Sequence, residues 1–290
     1  MMRAILALTI VMAATWHAWR WYLKRIILAP EEAAALAMSV GFVIALAWRE
    51  GRYSGKPTLE ASSHGDAMTA APPSSPRPRL DGPWQPGFHV IGLLMLYGLS
   101  FATALPPIGR AALAVCAAVA CFYRALLQRW PPVALYALIA LSLPVLPSLQ
   151  MTFGYGLRVI SAAMTAFILR AQGLGVERQG TFLVWRGEMV QFDAPCSGVN
   201  MVWAGVLIAL MGSIALRLSI WRTALAVLAG VGLAVAGNVL RASSLFYVEA
   251  GLVAGLPPSA HEAVGLVAFV MCAAGLAWVL RVLEPVEVRS

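Results

Sequence analysis

Apolar residues run in long blocks over most of the chain, and polar residues collect between the blocks. A hydrocarbon core of roughly 30 Å needs about 20 apolar residues as helix. Eight blocks approach that length, at 4–19, 33–48, 88–108, 111–127, 133–149, 199–216, 223–247 and 263–280. The first follows a lone Arg3 and resembles a signal peptide. Trp16, His17, Trp19, Arg20 and Trp21 stand where the small residues of a cleavage site belong, so it reads as a retained helix with an aromatic and basic interfacial end. The expected fold class is an all-α polytopic membrane protein of about eight transmembrane helices, with a small extracytoplasmic β-hairpin and an amphipathic helix.

Two stretches interrupt the blocks. Residues 49–87 are rich in Pro, Ser and Gly and include Pro72-Pro73-Ser74-Ser75-Pro76-Arg77-Pro78; such a segment cannot bury a core and reads as a loop. Within 151–195, Leu157, Ile160, Met164, Phe167 and Ile168 recur at helical spacing, which predicts an amphipathic helix over about 155–171 on the membrane surface. The β-prone runs 181–185 and 188–192 flank Arg186-Gly187, which predicts a hairpin that leads toward Cys196. The organisation is then two N-terminal spans (1–48), the Pro/Ser-rich loop (49–87), three spans (88–150), the extracytoplasmic helix and hairpin (151–195), and three spans that carry the candidate chemistry (196–290).

Composition strengthens the membrane reading. Of 290 residues, 60% are hydrophobic and 12% charged, with a mean hydropathy of +0.78. A soluble domain carries about 45–50% apolar and about 25% charged residues. The net charge of +8 comes from 21 Lys and Arg scattered between apolar blocks, so it describes topology and not a nucleic-acid surface. With the C-terminus inside, Arg124, Arg129, Arg217, Arg222 and Arg281 fall on the cytoplasmic side, and the hairpin and Cys196 on the other. Arg20, Lys24 and Arg25 in the first loop run against this assignment.

Four cysteines do not make a disulfide framework. Cys116, Cys121 and Cys272 lie in apolar runs, where a thiol is a small buried hydrophobe. Cys196 stands apart, among Asp193, Pro195, Ser197, Gly198 and Asn200. There is no CxxC pair and no HExxH, so neither a metal nor a cofactor is expected.

Three polar residues stand at the ends of the last three blocks. Arg241 lies late in the seventh, three residues after Asn238 and so on the same helix face. An Arg here can snorkel to headgroups, but snorkelling needs no amide beside it, and an intramembrane Arg is by default a functional residue. His261 follows Ser259, which forms a capping-box pattern with Glu262. That puts His261 in a first helical turn; the alternative is an interfacial His with no task. His17, His64 and His89 lack such company. Cys196 precedes the sixth block, with Asp193 as the expected cap and Pro195 in the first turn. A helix N-terminus and a nearby Arg favour the thiolate; the alternative is a small residue in a tight turn. Ser197 is the rival nucleophile, but a neutral Ser needs a strong base, so a turn-forming role fits it better. Glycines 230, 232 and 237 are expected to permit close helix contact.

Depth joins the three. Cys196 is 21 residues from Arg217, Arg241 is 19 from Arg222, and His261 is 20 from Arg281. At about 1.5 Å per residue each lies roughly 30 Å from a cytoplasmic-side Arg, and the three helices alternate in direction. A nucleophile, a proton carrier and a cation at one boundary are what a thiol protease or transpeptidase needs.

Ala194-Pro195-Cys196-Ser197-Gly198, Asn238-Val239-Leu240-Arg241 and His261-Glu262 with Gly265 resemble the exosortase/archaeosortase family, over roughly the fifth to the eighth helix. The resemblance implies an integral membrane enzyme that cleaves or transfers exported proteins at a C-terminal sorting signal, such as the PEP-CTERM tripartite tail. It implies Cys196 as nucleophile, Arg241 as transition-state stabiliser and His261 as proton-transfer residue, with Asn238, Ser197 and Gly198 in support. The partners expected are exported substrates with a sorting signal and transmembrane tail, and membrane lipid, with no nucleic acid. The alternative is a non-enzymatic transporter or assembly factor in which Arg241 and Asn238 contact the substrate.

Overall fold

The computed structural model describes residues 2–28, 33–54, 87–127, 131–191, 198–253 and 260–285. They divide into two units, Met1–Leu143 and Pro144–Ser290. Among them four helices are long and apolar enough to cross a bilayer, within Pro107–Arg124, Leu146–Ala171, Ile220–Glu249 and His261–Leu283; the apolar helices Ala35–Leu46, Phe88–Leu99 and Val199–Ala215 are shorter. The expected count of eight full spans does not emerge from these lengths.

In the first unit, α1 (Met2–Ala14), α2 (Trp16–Leu28), α3 (Ala33–Ser54), α4 (Phe88–Leu99) and α6 (Val133–Leu141) pack around α5 (Pro107–Leu127). α5 presents a face of small buried residues that includes Ala111, Ala114, Ala117 and Cys121, which lets its neighbours approach closely. The expected first span, 4–19, is two helices that part at Thr15. The Thr15 hydroxyl donates to Val11 O at 2.7 Å and accepts from Trp19 Nε1 at 2.9 Å; such back-bonding bends helices.

The expected span 133–149 is also divided. α6 ends at Leu141, and α7 (Leu146–Ala171) starts after Ser142, Leu143, Pro144 and Val145. Pro144 lacks the N–H a continuing helix needs and restricts the residue before it. Residues 155–171, expected as a surface helix, are the second part of this 26-residue helix. α7 buries Gly154, Ser161, Ala162, Thr165 and Ala166, with Leu169 at its sheet end, and exposes Met151, Phe153, Tyr155 and Phe167. Small and polar inside, large and apolar outside, is the pattern of a helix bathed in lipid.

The second unit continues with β1 (Glu177–Gln179), β2 (Phe182–Trp185), β3 (Glu188–Gln191), α8 (Val199–Ala215), α9 (Ile220–Glu249) and α10 (Ala260–Leu283). α9 is central and packs against α7, α8 and α10. At the α8–α9 crossing, a Cβ on Gly205 would meet Gly230 O at 3.0 Å. At the α9–α10 crossing, a Cβ on Gly237 would fall on Cys272 Sγ, and that thiol donates to Leu233 O at 3.1 Å. Gly230 and Gly237 thus carry close helix contacts; Gly232 has nothing within 4 Å of its Cβ position.

The strands form an antiparallel sheet in the order β1-β2-β3. It docks on the ends of α7 and α9 through Leu183, which is fully buried against Ala162, Ala166, Leu169, Ala242 and Phe246. Burying one Leu stabilises by about 1.5–3 kcal/mol. Trp185 meets the Phe246 ring edge-on at 6.0 Å. Tyr247 Oη donates to Gln172 Oε1 at 2.6 Å, and Arg170 Nε to Val176 O at 2.7 Å. The sheet is therefore anchored to the same turns of α7 and α9 that carry the candidate site.

Candidate functional site

Cys196 and Ser197 lie outside the described residues, as do Asp193, Pro195, Ser259 and His64. Gly198 is described. It is the N-cap of α8, with φ +78° and ψ −1°. This corrects the expected cap: α8 starts at Val199, so Asp193 and Pro195 stand too far upstream to serve as N-cap and first-turn residue. Cys196 is two residues before the cap. A left-handed φ suits glycine, and crowding reinforces the need. A Cβ on Gly198 would lie 2.8 Å from both Cγ and Nδ2 of Asn238.

Gly198 thus packs directly on Asn238 of α9. The Asn238 amide is buried, and its Nδ2 donates to Ser161 Oγ on α7 at 2.9 Å. An unpartnered buried amide costs about 1–3 kcal/mol, so this bond fixes which way the amide turns. Ser161 was not singled out in the sequence. The available signal was its place with Thr165 one turn later, two hydroxyl residues on the small face of an apolar helix. Thr165 Oγ1 is itself buried without a partner among the described residues. At the start of α8, Gln150 Nε2 donates to Asn200 Oδ1 at 3.2 Å.

One turn beyond Asn238, Arg241 reaches toward α10. Its Nη2 lies 3.4 Å from His261 Nε2. A guanidinium has no acceptor, so in this contact Arg241 Nη2 is the donor and His261 Nε2 the acceptor. The stem of Arg241 lies over Gly265, whose Cβ position is 3.3 Å from Arg241 Nε. Arg241 Nε is buried and has no partner among the described residues. α10 begins at Ala260, with His261 and Glu262 in its first turn. His261 is exposed, which leaves its ring accessible to a reacting group.

The structure therefore gives two contacts one turn apart on α9, Gly198 with Asn238 and Arg241 with His261. Of the described cysteines, Cys116 and Cys121 are buried, and Cys272 is part-buried between α9 and α10. His17 packs edge-on to Phe101 at 6.3 Å, and both His17 and His89 belong to the first unit. No cluster of three or more His, Cys, Asp or Glu that could hold a metal occurs among the described residues.

A family model of the transmembrane exosortases matches residues 68–278. The chain belongs to the transmembrane exosortase family. It is a multi-pass membrane protein. The match begins well before the fifth apolar block, so the exosortase likeness takes in α4 to α6 as well as the helices that carry the motifs. No curated protein and no solved structure matches the chain. The matched region of this exosortase includes Gly198, Asn238, Arg241 and His261.

Proposed function

We propose that this exosortase is a membrane-embedded cysteine protease or transpeptidase that processes C-terminal sorting signals of exported proteins through a thioester. The observation that carries the reading is the Arg241–His261 contact at 3.4 Å, on the helix whose Asn238 packs against the turn following Cys196. A cation and a proton carrier side by side suit acyl transfer from a peptide carbonyl to a thiol.

In this mechanism the substrate's transmembrane tail docks laterally among the helices. The His261 imidazole takes the Cys196 thiol proton, and the thiolate sulfur bonds to the scissile carbonyl carbon. Arg241 stabilises the oxyanion through its N–H groups. The C–N bond breaks as the His261 imidazolium protonates the leaving amine. His261 then takes a proton from the incoming amine or water, which attacks the thioester, and returns it to the Cys196 sulfur. Ser197 and Gly198 shape the turn, and Asn238 positions it. The site faces outside the cytoplasm in the inner membrane, a placement supported by the basic residues at the opposite helix ends.

The test is mass spectrometry of Cys196 in protein isolated with a tagged exported reporter that ends in a sorting signal, an apolar helix and a basic tail. A peptide mass added to Cys196 is expected. Cys196→Ala should abolish maturation, whereas Cys116→Ala, Cys121→Ala and Cys272→Ala should process normally. A membrane-impermeant thiol reagent should label Cys196 from outside the cytoplasm. Maturation at an unchanged rate by Cys196→Ala would sink the nucleophile assignment.

A further inference from the structure

The turns of the small sheet determine which backbone groups face outward. β2 and β3 are joined by Arg186-Gly187, with φ of 53° and 84°. Positive φ at both central residues marks a type I′ hairpin turn, whose flanking residues form a hydrogen-bonded pair. Those residues are Trp185 and Glu188, which are partners across the ladder. Hydrogen-bonded and non-hydrogen-bonded pairs alternate along an antiparallel ladder. Leu183 and Val190 are thus the next hydrogen-bonded pair, and Met189 and Gln191 turn their N–H and C=O groups away from β2.

The other loop gives the same parity. Gly180-Thr181, with Gly180 at φ 63°, makes Gln179 and Phe182 the hydrogen-bonded pair of β1 and β2. Phe182 and Val184 then bond toward β1, and Leu183 and Trp185 toward β3. On the far edge of the sheet, Arg178 is the residue whose backbone faces outward.

The two edges differ in surroundings. α7 packs against β1 and β2, and β1 is the strand that the chain enters from α7. Among the described residues β3 pairs with β2 alone. Beyond β3 the chain runs to Cys196, five residues after Gln191, a reach of at most about 18 Å. Met189 is 68% exposed and shares a sheet face with its cross-strand partner Val184. An unpaired strand edge is a template for another extended chain, with backbone bonds giving affinity and alternate side chains giving selectivity.

Resting on the reading of Cys196 as a peptide-cleaving nucleophile, we propose that the outer edge of β3 binds the substrate's sorting-signal segment as a fourth strand. The backbone groups of Met189 and Gln191 pair with the extended peptide beside the scissile bond. The Met189 side chain makes an adaptable apolar contact with every second substrate residue. Pairing of this kind fixes the register of the peptide on the strand that Cys196 follows by five residues in sequence.

The experiment compares prolines on the two edges, in full-length protein in membranes, with the tagged reporter described above. Met189→Pro removes an outward N–H on the β3 edge and leaves the ladder to β2 intact; Arg178→Pro does so on the β1 edge, where it also removes the exposed Arg178 Nη1 bond to Gly180 O. Met189→Pro is expected to slow maturation about fivefold or more through a raised apparent KM, with Cys196 still labelled by the thiol reagent. Arg178→Pro is expected to process normally. A second measurement needs no turnover: Met189→Cys in a Cys196→Ala background is oxidised with reporters carrying single cysteines across the sorting signal. Cross-links recurring every second residue are expected. Equal rates in the two proline variants, or cross-links that are absent or recur every three to four residues, overturn the proposal. Maturation by Cys196→Ala alone would instead remove the nucleophile reading, while cross-links of period two would still stand for the edge.

Discussion

Asn238 on α9 and Ser161 on α7 are joined by a hydrogen bond of 2.9 Å between two buried side chains. The bond ties the helix that carries Arg241 to the helix that leads into the sheet. It also holds the amide against which Gly198 packs.

That relationship predicts coupling. Ser161→Ala leaves Asn238 Nδ2 without this buried acceptor and should cost about 1–3 kcal/mol. Ser161→Thr keeps an acceptor and should recover most of the loss in processing. In a double-mutant cycle with Asn238→Ala, the two changes should couple by about 0.5–3 kcal/mol, read from thermal unfolding in detergent alongside reporter maturation. Strict additivity would show that the bond does not organise the site.

Gly198 tests the same contact from the other side. In Gly198→Ala the new Cβ lies 2.8 Å from Asn238, and the residue must also hold a left-handed backbone, at about 1–2 kcal/mol. Maturation should fall steeply with normal membrane insertion, measured by reporter processing at matched protein levels. Gly232→Ala, whose Cβ meets nothing within 4 Å, should process normally and serves as the reference. Equal activity in the two would mean that the turn tolerates displacement.

Arg241 separates shape from charge. Arg offers a planar fork of donors, whereas Lys is a compact point charge. If Arg241 stabilises an oxyanion through directed bonds, Arg241→Lys should lose about 10²–10³ in rate, the usual cost of one oxyanion donor at about 2.7–4 kcal/mol. Arg222→Lys, in the opposite end of α9, should be near normal. Near-normal maturation in both would reduce Arg241 to a snorkelling residue.

Local pattern alone was enough to mark the membrane class, the positions of α8, α9 and α10, and the turn at Arg186-Gly187. Each rests on signals close in sequence: apolar blocks, β-prone runs about a Gly, and basic residues at block ends. Asn238, Arg241 and His261 were visible for the same reason, because a polar side chain is conspicuous in or beside an apolar helix. Tertiary structure decided the rest. Ser161 lies 77 residues from Asn238, and no local pattern ties a lone hydroxyl to a distant amide. Which face of α7 meets its neighbours was not legible in the sequence, because lipid is as apolar as a protein interior. Its apolar stripe marks the outside, and small and hydroxyl residues mark the contact side. The division of 133–149 at Pro144 and the left-handed cap at Gly198 likewise arise where backbone sterics and the space left by a neighbouring helix outweigh hydrophobicity.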